Sequence, residues 1–180
     1  MKLLIIRHGD PDYAADSVTE KGAREVEMLA ERLSRLDIHT FYVSPLGRAQ
    51  RTAAPTLQRL HKDAVTLPWL REFHAPVQDP EIDRLRNPWD FKPAYWMQDP
   101  RFYDASLWTQ TPVMQTGDVA SEAQRVYQGL DDVLARHGYR RKGFYYEATA
   151  ANTDTIAFVC HFGVECVMLS HLMNISPMPL

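Results

Sequence analysis

Two histidines of this sequence stand where an apolar run gives way to a glycine. His8 belongs to Arg7-His8-Gly9, which follows the aliphatic run 3–6, and His161 belongs to His161-Phe162-Gly163, which follows the run 155–160. A short apolar run bounded by glycine is typical of a strand that is buried on both faces. Because ligands of open α/β sheets bind beyond the carboxyl ends of such strands, we expect these residues to take part in chemistry there.

Two arginines can reach the same edge from a helix. Arg48 and Arg51 are three residues apart, so they share one face of a helix that follows a short β-prone segment, 40–43. The turns at Ser44 and His161 would each begin a helix, and helix N-termini carry free N–H groups and partial positive charge. This combination suits a dianionic tetrahedral ligand, and phosphate is the natural candidate.

The elements that position these residues alternate between short strands and helices. We expect strands at 3–6, 40–43, 64–67, 144–146 and 155–160, and amphipathic helices at 20–36, 45–60, 118–136 and 164–173. This alternation predicts an α/β fold, a three-layer sandwich in which a mostly parallel sheet has helices on both faces.

Individual residues set the expected helix boundaries. Thr19 is expected to cap the first helix, and Ser44 and Pro45 are expected to be the cap and the first residue of the second. Pro55 lies inside that second helix and is expected to kink or divide it. Gly138 is well placed to end the third helix.

Segment 73–115 differs from the rest of the chain and is expected to form a cap or lid. Prolines interrupt it at positions 76, 80, 88, 93, 100 and 112, so no long helix or strand can run through it. Its aromatic residues predict packing rather than disorder. They are Trp89, Phe91, Tyr95, Trp96, Phe102, Tyr103 and Trp108. Because long irregular segments often serve as binding loops, we expect a single domain, 1–180, that carries this insertion.

Composition and charge restrict the class of protein. The chain has 180 residues, of which 45% are hydrophobic and 24% charged, and its net charge is −3. This balance gives no general affinity for nucleic acid or an anionic membrane, and no apolar run approaches the roughly 20 residues of a membrane span. The two cysteines, Cys160 and Cys166, do not indicate a disulfide framework. We therefore expect a cytoplasmic protein with neither nucleic-acid nor membrane partners.

Four motifs resemble those of the histidine phosphatase superfamily, which includes the phosphoglycerate-mutase-like enzymes. They occur in the family's chain order and anchor nearly the whole chain outside the cap. The motifs are Leu4-Ile5-Ile6-Arg7-His8-Gly9, Ser44-Pro45-Leu46-Gly47-Arg48-Ala49, Leu70-Arg71-Glu72 and Val159-Cys160-His161-Phe162-Gly163. Any one of them would be weak support, whereas four in order are specific. The resemblance implies the histidine phosphatase fold.

The resemblance also implies a role for each matching residue. His8 matches the nucleophile that accepts the phosphoryl group as phosphohistidine, and Glu72 matches the proton donor to the leaving alkoxide. Arg7, Arg48 and His161 match the groups that hold the phosphoryl oxygens, and His161 counts among the catalytic residues as well. The implied activity is that of a histidine acid/alkaline-type phosphatase, which hydrolyses a small phosphorylated metabolite without a cofactor.

Elementary chemistry supports this division of roles. A neutral imidazole attacks phosphorus only through a nitrogen with a lone pair, so the other nitrogen of His8 should donate to a backbone carbonyl or a similar acceptor. Fixed cations must neutralise the charge on three equatorial oxygens. A carboxyl group such as Glu72 acts as an acid only where a nearby phosphate favours its protonated form, and the carboxylate can next activate water.

Arg51 and Asp10 are additional candidates for the site. Arg51 lies beside Arg48 but the family motif does not demand it, so a surface ion pair competes with a role in the site. Asp10 follows the first motif, where relatives often carry another polar residue, and is a candidate for a second acid. Glu165 is expected on the first helical turn after His161, where it complements the helix dipole.

No metal ion is expected. The histidines outside the motifs show no spacing of metal ligands. They are His39, His61, His74, His137 and His171.

Segment 10–13 favours a phosphatase over a mutase because it is acidic and aromatic. A mutase must bind the carboxylate of phosphoglycerate, and the basic pattern that marks mutases after the first motif is absent. Two alternatives stay open, a phosphoglycerate-type mutase and a non-catalytic phosphate-binding module on the same fold. Such a module would be expected to have lost at least one of the five matching residues, and all five are present: Arg7, His8, Arg48, Glu72 and His161.

The chain ends at Leu180, sooner after the second histidine than members of the family usually end. Its apolar ending, 176–180, ought to lead into another strand, so we expect a truncation or a missing edge of the sheet. The substrate stays open, and so does the oligomeric state, with a homo-oligomer among the options.

Overall fold

Short strands and helices alternate along the chain. The computed structural model describes residues 1–180. Its strands are β1 (Lys2–Arg7), β2 (Pro11–Asp12), β3 (Ser17–Val18), β4 (Thr40–Val43), β5 (Ala64–Thr66), β6 (Val77–Gln78), β7 (Leu85–Arg86), β8 (Tyr139–Lys142), β9 (Tyr145–Ala148) and β10 (Thr155–Cys160). Its helices are α1 (Glu20–Leu33), α2 (Gly47–Leu60), α3 (Pro93–Trp96), α4 (Val119–Arg136) and α5 (Phe162–Met173). None of the helices combines the length and the apolar composition that crossing a bilayer requires.

Four strands form the largest sheet, in the order β1-β10-β4-β5. All the pairings are parallel, with Val159 opposite both Ile6 and Val43, and Val43 opposite Thr66. The carboxyl ends of these strands therefore lie at one edge of the sheet. The predicted parallel α/β class and the four predicted strands of this sheet are confirmed.

The two strands that end at the histidines differ in burial. From Ile156 to Cys160 the side chains of β10 are at most 2% exposed, whereas Leu3 to Ile6 of β1 are only half-buried. β10 lies between two strands, and β1 has a partner on one side only. The prediction that both strands are buried on both faces is therefore confirmed for β10 and wrong for β1.

Contacts divide the chain into two compact units. The first comprises residues 1–72 and 150–165, and it holds the four-stranded sheet with α1 and α2. The second comprises residues 73–149 and 166–180. That the chain is a single domain with a cap at 73–115 stays a prediction.

Small apolar contacts fix the two helices of the first unit. Leu33 of α1 packs with Phe41 and Ala157, and Ala53 of α2 packs with Val159. Burying the larger of these side chains is worth about 1.5–3 kcal/mol each, and these contacts pack α1 and α2 against the sheet.

The N-terminus of α1 agrees with the prediction from the sequence, and the N-terminus of α2 does not. Thr19 caps α1 as predicted, because its Oγ1 accepts a hydrogen bond of 3.1 Å from Gly22 N. α2 begins at Gly47 after Leu46, so the prediction that Ser44 caps it and Pro45 begins it was wrong. The Ser44 hydroxyl contacts His161. Pro55 does not divide α2, which runs unbroken to Leu60.

The second unit contains α4 and most of the irregular structure. Val126, Leu130 and Val133 form part of the buried face of α4, which ends before Gly138 at φ +84°, as predicted. Within segment 73–115 no helix or strand exceeds four residues. Phe91, Phe102 and Trp108 are at most 6% exposed, so the predicted packing is confirmed for these rings, whereas Tyr103 is 49% exposed.

The strand predicted at 144–146 belongs to a separate hairpin. β8 and β9 pair with each other as an antiparallel two-stranded sheet, and Phe144 lies in the turn with 79% of its surface exposed. Gly143 precedes it at φ +58°, a left-handed conformation that favours glycine. This glycine between two β-prone runs was the hairpin signal in the sequence.

Candidate active site

Both motif histidines lie at the carboxyl edge of the parallel sheet, in the first unit. Arg7 is opposite Cys160 in the register of β1 and β10, so His8 and His161 leave neighbouring strands at the same level. Their ring centroids are 5.1 Å apart. Ser44 leaves β4 at the same edge, and its Oγ lies 2.7 Å from His161 Nε2. The register of three strands thus brings these residues together.

The imidazole of His8 is buried and oriented by its own backbone. Its Nδ1 lies 2.8 Å from the carbonyl oxygen of Gly9. Since a carbonyl oxygen only accepts, Nδ1 carries the proton and Nε2 keeps the lone pair. Burial lowers the pKa of His8, and the charges of Arg48 and Arg7 act in the same direction. The Gly9 carbonyl and Glu72 oppose this shift without reversing it.

His161 is fully buried and also neutral. Leu46 N donates to Ser44 Oγ over 3.2 Å, and the same oxygen lies 2.7 Å from His161 Nε2. We assign the tautomer in which the Ser44 hydroxyl donates to His161 Nε2. Nδ1 then carries the imidazole proton, and it has no hydrogen-bond partner. Burial, followed by the charge of Arg48, lowers the pKa of His161 to about 3. The site therefore contains a buried N–H donor that can accommodate an acceptor.

Arg48 is held by Asp16, a residue that sequence reasoning missed. Arg48 donates to one carboxylate oxygen of Asp16 over 2.8 Å, and Gly47 N donates to the other over 2.6 Å. The Gly47 N–H, ahead of the Arg48 guanidinium, lowers the pKa of Asp16. Asp16 adopts a left-handed backbone with φ +44°, and a Cβ on Gly47 would lie 2.1 Å from its carbonyl oxygen. Only glycine permits this approach, so a glycine in the second motif was the available signal.

Thr52 connects the first motif to α2 and was also missed. Its hydroxyl accepts a hydrogen bond of 3.1 Å from Gly9 N and donates one of 2.7 Å to the carbonyl oxygen of Arg48. This hydroxyl is one helical turn beyond Arg48, so it ties the backbone beside His8 to the start of α2.

Glu72 lies at the N-terminus of α5. Its Oε1 accepts hydrogen bonds from Gly163 N at 3.0 Å and Val164 N at 3.4 Å. Glu165 lies in the first turn of α5, as predicted, and is half-buried. Burial raises the pKa of Glu165, the charge of Glu72 adds to the rise, and Arg7 opposes it. Two carboxyl groups and Arg7 are therefore close to one helix start.

The structure places Asp10 and Arg51 away from these contacts. Asp10 accepts a hydrogen bond of 2.6 Å from the Thr19 hydroxyl and lies 3.6 Å from Lys21 Nζ, so it belongs to the start of α1. The Thr19 hydroxyl is the main reason that the pKa of Asp10 is lowered. Arg51 is exposed on α2.

Curated relatives match part of the chain. Over 73 residues the chain is 37% identical to a 2,3-bisphosphoglycerate-dependent phosphoglycerate mutase of Thermoplasma acidophilum, covering 35% of this chain and 36% of the relative. Over 82 residues it is 33% identical to the probable phosphoglycerate mutase GpmB of Cronobacter sakazakii, covering 41% and 38%. The matched stretches thus span under two fifths of the length of each relative.

Solved structures and a family model match nearly the whole chain. A mycobacterial glucosyl-3-phosphoglycerate phosphatase aligns with a TM-score of 0.63 at 19% identity, covering 98% of this chain and 81% of that one. An alpha-ribazole phosphatase of Shigella flexneri aligns with a TM-score of 0.60 at 20% identity, covering 98% and 82%. These likenesses concern the fold. Residues 3–180 match the model of the histidine phosphatase superfamily, branch 1, and the chain belongs to that superfamily.

Proposed function

We propose that this chain is a phosphomonoester hydrolase in which His8 Nε2 attacks phosphorus and forms a phosphohistidine. The observation that carries the proposal is the 2.8 Å contact between His8 Nδ1 and the Gly9 carbonyl oxygen. This contact favours the tautomer with its lone pair on Nε2. Because burial lowers the pKa of His8, the lone pair is available at neutral pH.

Arg7, Arg48 and His161 are proposed to hold the phosphoryl oxygens. Arg48 Nε and His161 Nδ1 are buried and have no partner among the protein atoms, and a phosphoryl oxygen would accept from each. An unpaired buried donor costs about 1–3 kcal/mol, so occupation by an acceptor is favoured. The two guanidinium charges would offset the negative charge that spreads over the equatorial oxygens.

The proposed reaction has two steps. First the Nε2–P bond forms as the ester P–O bond breaks, and protonated Glu72 gives its proton to the leaving alkoxide. Water then attacks phosphorus, the Nε2–P bond breaks, and the Glu72 carboxylate takes the proton from water. The N–H groups of Gly163 and Val164 donate to Oε1 of Glu72 and so fix the position of its carboxyl group.

The test is turnover together with trapping of the phosphoenzyme. We expect the wild-type protein to release nitrophenol from p-nitrophenyl phosphate and, after quenching in alkaline detergent, to carry on His8 a phosphate that is stable in alkali and released by acid. His8→Ala should lose both properties. His61→Asn is a matched control, because His61 is exposed and Asn tolerates its left-handed backbone. Full activity of His8→Ala would exclude the mechanism.

A phosphoglycerate-type mutase is the second candidate, because both curated relatives described above are named phosphoglycerate mutases. A coupled assay of phosphoglycerate isomerisation distinguishes the two activities. The acidic and aromatic segment 10–13 leads us to expect phosphate release without isomerisation. A wild-type protein that binds inorganic phosphate and turns over no ester would instead support a non-catalytic module.

A further inference from the structure

An exposed aromatic ring lies against each arginine that is proposed to hold the phosphate. The Tyr13 ring centroid is 5.4 Å from Arg48 Cζ, and the Phe162 ring centroid is 5.3 Å from Arg7 Cζ. Tyr13 is 68% exposed and Phe162 is 38% exposed. The two rings thus present apolar surface to solvent beside the same proposed anion site.

The loop around Tyr13 is anchored on both sides of the ring. Asp12 Oδ1 accepts hydrogen bonds from Ala14 N at 3.0 Å and Ala15 N at 3.1 Å. Beyond them, the carboxylate of Asp16 accepts from Gly47 N and from Arg48. Fixing a loop costs about 1–2 kcal/mol of backbone entropy per residue, and an exposed ring recovers little of that cost by burial. A ligand that covers the ring would recover more.

The side chain of Phe162 is also exposed to solvent rather than packed in the core. It directly follows His161 and begins α5, whereas the next two residues, Gly163 and Val164, are buried. Its ring therefore lies at the rim of the site, against the guanidinium of Arg7. A phenyl ring at this position offers a face or an edge to a second ring, which is a favourable arrangement for aromatic pairs.

The charges around the site disfavour a second anionic group on the substrate. Near Tyr13, the chain carries carboxylates at Asp12 and Asp16, and Asp16 pairs with Arg48. On the other side, Glu72 and Glu165 lie close to Arg7. Because Asp16 pairs with Arg48 and Arg7 lies close to Glu165, a carboxylate on the leaving group would compete with the phosphoryl group and with these protein carboxylates for the same positive charge.

We propose that the natural substrate class is a phosphate monoester of an uncharged aromatic or other planar group, which packs on Tyr13 and Phe162. This inference rests on the proposed function, since the two rings lie beside the arginines that are proposed to hold the phosphate. The opposing possibility is that the rings only orient the guanidinium groups. In that case their removal weakens every phosphate ester equally.

A matched pair of esters separates these roles. 2-Phenylethyl phosphate and ethyl phosphate have alkoxide leaving groups of similar basicity and differ in the ring. We expect wild-type kcat/KM to favour the phenylethyl ester, with each protein ring contributing roughly 2- to 10-fold to the ratio. Tyr13→Ala and Phe162→Ala should each lower the ratio by that factor, and Tyr13→Phe should retain it. Phe144→Ala is the control, because it removes a ring that is 79% exposed in the β8–β9 turn.

Binding of phosphonates decides the inference independently of turnover. Calorimetric titration with 2-phenylethylphosphonate and ethylphosphonate should give the same preference for the ring and the same loss in the two alanine variants. Equal dissociation constants of the two phosphonates in the wild type would overturn the inference, and so would a preference that survives in the Tyr13→Ala, Phe162→Ala double variant. Failure of the proposed function is recognised separately, as wild-type protein that hydrolyses none of the esters.

Discussion

Among single residues, Glu72 is proposed to donate a proton to the leaving group, and the substitution Glu72→Gln tests this role with little change in shape. Glu72→Gln retains an oxygen that accepts from Gly163 N and Val164 N, but its amide has no acidic proton to transfer to the leaving group. We expect kcat/KM for ethyl phosphate to fall by about 10²- to 10⁴-fold, the usual contribution of a general acid. p-Nitrophenyl phosphate should be slowed far less, because its leaving group needs no proton. Equal slowing of both esters would remove Glu72 as the acid, and exposed Glu20→Gln serves as control.

His161 should make the stability of the fold depend on pH. Its pKa is about 3 in the folded protein and about 6.5 in an unfolded chain, so the unfolded state binds more protons between these values. The contribution is fully present above pH 6.5, and about 3 kcal/mol of unfolding free energy is lost by pH 4. Urea denaturation at pH 7 and pH 4 should show a smaller loss for His161→Asn than for the wild type. The same loss in both proteins would contradict the lowered pKa.

The residues of the site differ in how far the sequence predicts them. His8 and His161 are visible because each follows an apolar run, and the orientation of His8 by a carbonyl follows from what an imidazole nucleophile requires. Asp16 is not visible, since its partner Arg48 is 32 residues away in the chain and its backbone is left-handed. Gly47 indicates that some backbone approaches closely, but which residue does so depends on tertiary packing.

At the scale of elements, the start of α2 depends on the loop that approaches it. The Asp16 carboxylate accepts from Gly47 N and pairs with Arg48, so it acts as an N-terminal cap supplied from outside the helix. Asp16→Ala should lower the unfolding free energy by about 0.5–2 kcal/mol, as for loss of a cap, and should raise KM more than it lowers kcat. Asp63→Ala, at an exposed position beyond the other end of α2, should change neither. Wild-type stability and KM in Asp16→Ala would show that the contact is dispensable.

Element boundaries were predictable where a side chain acts locally. Thr19 caps α1 because its hydroxyl reaches Gly22 N three residues later. Ser44 has the same chemistry, but its hydroxyl contacts the buried ring of His161, and α2 begins three residues further on. The Ser44 hydroxyl accepts locally only from Leu46 N, which precedes the helix, so it does not cap α2. The predicted strand at 144–146 is part of a hairpin, because Gly143 turns the chain between two β-prone runs with φ +58°.

At the scale of the whole molecule, the class of the fold was predictable and the strand order was not. Alternating strands and helices indicate a parallel sheet from local patterns alone. The neighbours β1 and β10 are joined by register pairs such as Ile6 and Val159, which are far apart in the chain. Their pairing places β1 at the edge of the sheet, which explains the half-burial of Leu3 to Ile6.

Dependence of the reaction on a metal ion is a property of the whole protein, and we expect none. Metal ions usually neutralise the charge of a transferring phosphoryl group, and here Arg7, Arg48 and the Nδ1–H of His161 are proposed to do so. Dialysis against EDTA, followed by assay with 2-phenylethyl phosphate, should leave kcat/KM unchanged. Added Mg²⁺ or Zn²⁺ should give no increase. Loss of activity on chelation with recovery on adding a divalent ion would contradict the cofactor-free scheme, while His8→Ala under the same conditions measures any background hydrolysis.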